Sequence, residues 1–252
     1  MKVSVIVPTY NCGKYVEECL NSILSQTLQD FEILVVDDKS TDDTVQRIKK
    51  FDDDRIKLFI NKRNMGSAYS RNFAISQAQG EYIAFLDGDD CWLPKKLEEQ
   101  IAFMESNKYL FSYTNYEEIN ELGEKPHIRI SGPKVISHKK FLRNNYVGCL
   151  TVMYKREVFP DLSIPNDIYK RNDYALWLKL SEKCNCYLLN KTFSLYRKGN
   201  GISSGKKIKL LKYHKIMFQK LYGYNSFISW IFAYRNAFYL LIKRFRYRRK
   251  IK

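Results

Sequence analysis

Acidic residues stop at Glu182: the remaining 70 or so positions of this 252-residue chain contain no Asp or Glu, although 14 Lys and Arg residues follow from Gly205 onward. The earlier part carries 29 basic and 27 acidic residues, so the formal charge of +16 belongs to the tail and the body is nearly neutral. Long apolar runs are also lacking. The best candidate, FISWIFAYRNAFYLLI at 227–242, is shorter than the ~20 residues a membrane span needs and is interrupted by Arg235 and Asn236. At the N-terminus, MKVSVIVPTYN offers too short an apolar segment for a signal peptide. The six cysteines (Cys12, Cys19, Cys91, Cys149, Cys184, Cys186) have no paired framework, and the lone C-x-C at the end has no second Cys or His pair to complete a zinc site. These absences point to a reduced, cytoplasmic protein. The chain also lacks a G-x-x-x-x-G-K-[ST] loop and a G-x-G-x-x-G after its first strand, so any phosphates would be held by a metal rather than by a glycine-rich cradle.

What the chain does have is 45% hydrophobic residues, enough for a proper core, arranged with a regular alternation. VSVIV (3–7) reads as a buried strand ended by Pro8, and Val16, Leu20, Ile23 and Leu24 follow at helical spacing. FEILVV (31–36) is a second strand, after which Ser40 or Thr41 supplies an N-cap for a helix lined by Val45 and Ile48. A third strand falls at IKLFI (56–60), a helix at about 67–77, and a fourth strand at EYIAFL after the stop signal Gly80. Alternation of this kind predicts an α/β, Rossmann-like, mainly parallel sheet flanked by helices, with ligands at the carboxyl ends of its strands. A further helix carries Leu97, Ile101 and Met104 in phase. The second half is less regular, with strands expected at LFSYTNY and TVMYK, and helices at 206–222 and about 227–246. No internal repeat is evident.

The polar residues of interest sit at the predicted strand ends. In VPTYNCGKY, Pro8 delivers Thr9, Tyr10 and Asn11 into a loop that is either an ordinary strand-to-helix turn or a place where Tyr10 covers a base. In VVDDKSTDDT, Asp37 and Asp38 are acceptor-only carboxylates, suited to a nucleobase N–H or ribose hydroxyls; helix capping would not require both, since Ser40 and Thr41 are at hand. AFLDGDDCW gathers Asp87, Asp89 and Asp90. Two carboxylates about 6 Å apart repel by roughly 3 kcal/mol at an effective dielectric of about 20, which calls for a compensating cation or good solvation. Hard oxygen ligands suit Mg²⁺ or Mn²⁺, held by one or two carboxylates plus a substrate's diphosphate. Arg71, in a helix entered from a Gly-containing turn, faces either phosphate or solvent. Asp173, opening a helix with Leu176, Trp177 and Leu180, serves either the helix dipole or general-base chemistry.

In combination, VSVIVPTYN, FEILVVDDKSTDDT, NMGSAYSRNFAISQAQGEYIAFLDGDDCWLPKKL and NDYALWLKL resemble the family 2 glycosyltransferases over about residues 1–200. The resemblance implies the GT-A fold, with residues 1–115 as a nucleotide-sugar-binding half, 116–204 as an acceptor half, and 205–252 as a basic amphipathic helical tail. It implies that Thr9, Tyr10 and Asp38 meet the uridine of a UDP-sugar with Asp37 in support and Pro8 shaping the loop, and that Arg71 lies near the donor phosphates. Asp87 and Asp89 would be the D-x-D pair, with Asp89 the direct ligand of Mn²⁺ or Mg²⁺. Asp173 would be the base of an inverting displacement, with Asn172 where relatives often have Glu, and Arg197 in LYRKGNGISS would belong to a segment closing over the diphosphate. Small bacterial members of this kind extend polyprenyl-diphosphate-linked sugars in O-antigen or capsule assembly, so the expected acceptor is such a lipid and the expected sugar a hexose.

The tail admits two readings of its own. Phe227, Ile231, Tyr234, Phe238 and Leu241 share one helical face ahead of KRFRYRRKIK, which suits an interfacial helix docking peripherally on the anionic inner face of the cell membrane. The same stripe could instead pack on the body, since apolar stripes are usually core. Basic residues interleaved with aromatics also fit nucleic acid, the alternative from a different class of function, against which the neutral body argues.

Overall fold

The computed structural model describes residues 1–198 and 207–251. In chain order its elements are β1 (Val3–Thr9), α1 (Gly13–Leu24), β2 (Phe31–Asp37), α2 (Thr44–Ile48), β3 (Ile56–Ile60), α3 (Ser67–Gln77), β4 (Tyr82–Phe85), β5 (Cys91–Trp92), α4 (Lys96–Asn107) and β6 (Phe111–Ile119). There follow β7 (Ile128–Ile130), β8 (Val135–Ile136), α5 (His138–Phe141), β9 (Met153–Lys155), α6 (Asn172–Ser181), β10 (Cys186–Arg197), α7 (Lys207–Tyr222), α8 (Ser226–Tyr247) and β11 (Arg248–Lys250). β1 and β2 are buried along their whole length, as expected of parallel strands covered on both faces. Alternate residues serve the two sides. Val5, Val7, Ile33 and Val35 join Val16, Leu20 and Ile23 of α1 and Leu97, Ile101 and Met104 of α4, whereas Ile6, Leu34, Val36 and Phe85 face Ala74 of α3, Trp177 of α6 and Phe218 of α7.

The sheet runs β11-β7-β6-β9-β4-β1-β2-β3, with β10 alongside β6 and pairing β5 and β8. The four strands from the regular first ninety residues pair in parallel, in register Thr9↔Asp37 and Ile6↔Phe85, so their carboxyl ends share one edge. β4 to β9, β9 to β6, β6 to β7 and β7 to β11 are antiparallel. β10 runs parallel to β6 over most of its length, so the longest ladders are parallel, as expected of a mainly parallel sheet, and the short antiparallel pairings each involve a strand of the C-terminal half. β10, the longest strand, has no clean two-residue period, because its pairing with β6 shifts register around Thr192.

One local expectation fails. α2 begins at Thr44 rather than after a Ser40 or Thr41 cap, because those residues are engaged elsewhere: Ser40 donates its N–H to Asp37 at 2.8 Å, and Thr41 donates its N–H to the Asn11 side chain at 2.8 Å.

The tail lies on the body. Met217 and Phe218 of α7 are fully buried, Asn236 of α8 donates to the Tyr174 hydroxyl at 2.9 Å, and β11 extends the sheet while Arg248 pairs with Glu118 at 3.0 Å. The predicted stripe of Phe227, Ile231, Tyr234, Phe238 and Leu241 nevertheless points outward, with Phe245 beyond it 90% exposed. Packing and amphipathicity thus occupy different faces of one helix. The expected boundary at 204–205 lies outside the described residues. Among those described, no helix is long and apolar enough to cross a membrane, and all six cysteines are free thiols.

Candidate active site

A cavity of about 800 Å³ opens at the carboxyl edge of the parallel strands. Pro8, Thr9, Tyr10, Asp38, Arg71, Asp87 and Asp173 all line it. Asp37, Asp89 and Arg197 do not.

The edge is assembled by hydrogen bonds between consecutive βα loops. Asp37 is fully buried and accepts from the Thr9 hydroxyl at 3.1 Å and from Ser40, while the Asp38 N–H donates to the Thr9 carbonyl at 2.8 Å. Asp37 is thereby spent holding the β1 and β2 loops together. The Asp38 carboxylate receives the Met65 and Gly66 N–H groups, each at 2.7 Å, and the Asn61 amide at 2.8 Å. Gly66 meets it at φ +87°, a left-handed conformation that glycine adopts without steric cost. With three donors bound, one acceptor position of the four remains on Asp38 for a ligand. Tyr10 stands 44% exposed at the cavity's rim.

β4 ends at Phe85 and delivers the acidic turn. Asp87 and Asp90 line the cavity and Asp89 is half-buried beside them. Gly88 is required for spatial reasons: a Cβ there would meet Cys12 Sγ at 2.8 Å and Thr9 Cγ2 at 3.0 Å, so only glycine lets this turn lie against the β1 loop. Burial, and then the Asp87 charge, push the Asp89 carboxyl up to about 6. Burial pushes Asp90 well above the carboxylate range, although it accepts the Arg197 N–H at 2.8 Å. Carboxylates gathered on one turn are hard oxygen donors suited to a divalent cation. No group of three or more metal-ligating side chains occurs among the described residues.

Arg71 is buried, and its guanidinium spans the site, donating to Asp87 on one side and to Asn172 on the other. Burial opposes its charge, but the Asp87 carboxylate outweighs that and holds its pKa above the ordinary value. Asn172 in turn donates to Ser67 at 2.8 Å. The Asn in place of a Glu thus accepts from Arg71 without adding a charge. Next to it, Asp173 in the first turn of α6 is half-buried and, among the described residues, accepts a long contact from Asn145 at 3.4 Å, with its carboxylate on the cavity.

Arg197 is 3% exposed and serves the acidic turn from behind. It donates to the Asp89 carbonyl at 2.9 Å and the Asn120 carbonyl at 3.1 Å, pairs with Glu18, and lies 4.6 Å from the Tyr15 ring centroid. Its expected place over a diphosphate is not where it stands; the rest of that segment, 199–206, lies outside the described residues.

Sequence reasoning missed the contribution of the tail. His214 of α7 and Leu240 and Lys243 of α8 line the same cavity. Lys243 donates to the Asn145 carbonyl at 2.8 Å; burial, and then Arg171, bring its pKa down to about 8, against the pull of Asp173. Burial, then Arg171, lower His214 to about 3, so its ring is neutral. Nothing local distinguishes Lys243 from the six other basic residues of the last twelve.

Comparison with known proteins bears on the family and the fold. This chain is 38% identical over 213 residues to the putative teichuronic acid biosynthesis glycosyltransferase TuaG of Bacillus subtilis, covering 83% of this chain and 84% of that one. It is 39% identical to the Escherichia coli UDP-Glc:alpha-D-GlcNAc-diphosphoundecaprenol beta-1,3-glucosyltransferase WfgD, with 83% and 82% covered. In structure it resembles S. aureus TarS 1-349 in complex with UDP at a TM-score of 0.69 and 25% identity, over 87% of this chain and 65% of that one. The mannosyltransferase PcManGT from Pyrobaculum calidifontis, in complex with GDP-Man and Mn2+, shares the fold at a TM-score of 0.67, 18% identity and coverage of 97% and 71%. The architecture is that of GT-A enzymes, as the motifs predicted. With the profile of Glycosyl transferase family 2 matching residues 4–163, the chain belongs to that family of glycosyltransferases.

Proposed function

We propose that the protein is an inverting hexosyltransferase that moves glucose or galactose from a UDP-sugar onto a polyprenyl-diphosphate-linked saccharide during surface-polysaccharide assembly. The observation that carries this reading is the convergence of Asp87, from the end of β4, and Asp173, from the start of α6, on one cavity, linked through Arg71 and Asn172. Relatives whose names specify UDP-Glc and a diphosphoundecaprenol-linked GlcNAc support the substrate class.

In this reading Tyr10 covers the base, and Thr9, Pro8 and the remaining acceptor position of Asp38 hold the uridine, with Asp37 fixing their loops. Asp89 and Asp87 would hold Mn²⁺ or Mg²⁺; when bound, the ion neutralises the charge that develops on the departing diphosphate. Arg71 orients Asp87. Asp173 takes the proton of the acceptor hydroxyl, which attacks the anomeric carbon from the face opposite the leaving nucleotide, so configuration inverts. Residues 1–115 serve the donor and 116–204 the acceptor. The outward face of α8 docks the enzyme peripherally at the inner face of the cell membrane, where such an acceptor resides.

The test is Asp173→Asn. Transfer from UDP-glucose or UDP-galactose to a lipid-diphosphate acceptor should fall by at least about 10³-fold, within the range seen for loss of a positioned base, while Mn²⁺-dependent UDP binding persists. Near wild-type transfer by this variant would overturn the assignment.

A further inference from the structure

Away from the acidic strand edge, the cavity changes sign. Lys170, Arg171 and Lys243 line it there, and Asp173 is the one carboxylate among the described lining residues of that part. Two buried donor or acceptor atoms in the same wall have no partner among the described residues: Asn144 Nδ2 and His214 Nδ1, on side chains 2% and 3% exposed. Leaving such groups unsatisfied costs free energy that a polar ligand would recover. Arg171 is held at φ +64°, a conformation uncommon for a non-glycine residue, at the cap of α6. Among the described residues Lys243 is tied by one of its three N–H donors, to Asn145, whose amide reaches Asp173. One residue thus separates this cation from the carboxylate assigned as base.

Lys243 also marks an edge of α8. Leu240 lines the cavity, whereas Leu241, Ile242 and Phe245, within one turn of Lys243, are exposed. A ligand seated here would meet these cations, with the exposed apolar side chains Leu241, Ile242 and Phe245 of α8 within one turn. The donor's diphosphate does not suit this wall, because the acidic turn at Asp87 and Asp89 calls for a cation-bound diphosphate on the other side. A second diphosphate, arriving without its own metal, requires side-chain cations.

We propose that this wall, built jointly by the body and the tail, receives the diphosphate of an isoprenoid-linked acceptor, with Lys243 and Arg171 as its contacts, Asn144 and His214 as further hydrogen-bonding partners, and the exposed face of α8 as the path of the hydrocarbon. The proposal rests on the glycosyltransferase reading and names the part of the site that selects its acceptor. The tail therefore serves substrate recognition as well as packing.

The experiment is isothermal titration of the full chain with farnesyl diphosphate in EDTA, with no nucleotide present. Wild type should bind it, farnesol should not compete, and inorganic pyrophosphate should compete more weakly. Lys243→Gln and Arg171→Gln should each weaken binding roughly tenfold, the loss of one charge-assisted hydrogen bond, and Lys243→Arg should retain it. UDP affinity in Mn²⁺ should stay at the wild-type value in all three, which also reports that they are folded. Unchanged farnesyl diphosphate binding in both glutamine variants would overturn the proposal. So would full displacement by UDP in EDTA, which would make this the nucleotide's own site, or competition by pyrophosphate equal to farnesyl diphosphate, which would remove the hydrocarbon track. Failure of transfer from every nucleotide sugar, with farnesyl diphosphate still bound, would sink the glycosyl-transfer reading and leave the anion site standing.

Discussion

Asp89 carries a pH dependence whose sign follows from its environment. Its carboxyl is pushed from 3.8 up to about 6 by burial and by Asp87, so the unfolded chain ionises this group before the folded protein does. The resulting cost is absent below pH 3.8, grows through the window up to 6, and is complete above it, on the order of 3 kcal/mol. Without metal, Asp89→Asn should therefore melt at a higher temperature than wild type at pH 7.5, with the difference gone by about pH 4. In the wild type, Mn²⁺ and UDP together should raise the melting temperature at pH 7.5 and lose that effect below about pH 6, where protons compete for the carboxylate. Asp89→Asn should show no Mn²⁺-dependent gain at either pH. Differential scanning fluorimetry across pH checks all three statements, and a metal response in Asp89→Asn equal to wild type would remove this residue from the cation site. The three acids of the turn were equivalent as a sequence pattern. Burial separates them: Asp87 pairs with Arg71, Asp89 is half-buried beside it, and Asp90 is 2% exposed in the cavity wall, accepting the Arg197 N–H.

At the level of elements, β1 to β4 with their helices were legible because period and punctuation agree there. Short apolar runs alternate with helical stripes, and Pro8, Gly66 and Gly80 mark the breaks. β10 was not anticipated. Its exposure pattern follows a bulged pairing with β6, and a bulge destroys the alternation by which a strand is read. α7 was legible as a helix, but its partner was not: Met217 and Phe218 enter the same core as Phe85 and Trp177. Phe218→Ala should cost about 3–5 kcal/mol by removing a fully buried ring, and so lower the melting temperature well beyond the effect of a surface change. A loss under about 1 kcal/mol in urea melts would mean that α7 is a detachable appendage.

For the whole molecule, membrane docking is best tested without truncation. Removing 227–252 would uncover the face of α7 that packs on α8, where Phe218 meets Phe232, break the Asn236 to Tyr174 hydrogen bond and strip β11 from β7, so release from vesicles would be indistinguishable from unfolding. Serine at Phe238, Leu241 and Phe245 avoids this, since all three are more than half exposed. This triple variant should sediment far less with anionic vesicles while its stability changes by no more than about 0.5 kcal/mol per site. Wild-type sedimentation by the variant would place the contact elsewhere. The basic tail is also less available than its composition suggests, since Lys220 pairs with Asp167, Arg248 with Glu118, and Lys243 turns inward.

The sequence by itself determined the parallel half of the sheet, the family, and the acids at the strand ends, because these depend on local periodicity and on motifs a few residues long. Tertiary structure alone decided that Arg71 bridges Asp87 to the helix bearing Asp173, that Arg197 supports the acidic turn from behind, and that a tail lysine completes the cavity. The physical reason is common to all three. Each is a charge whose partners lie far away in the chain, so its burial and its role are fixed by packing between elements, and no local pattern records that.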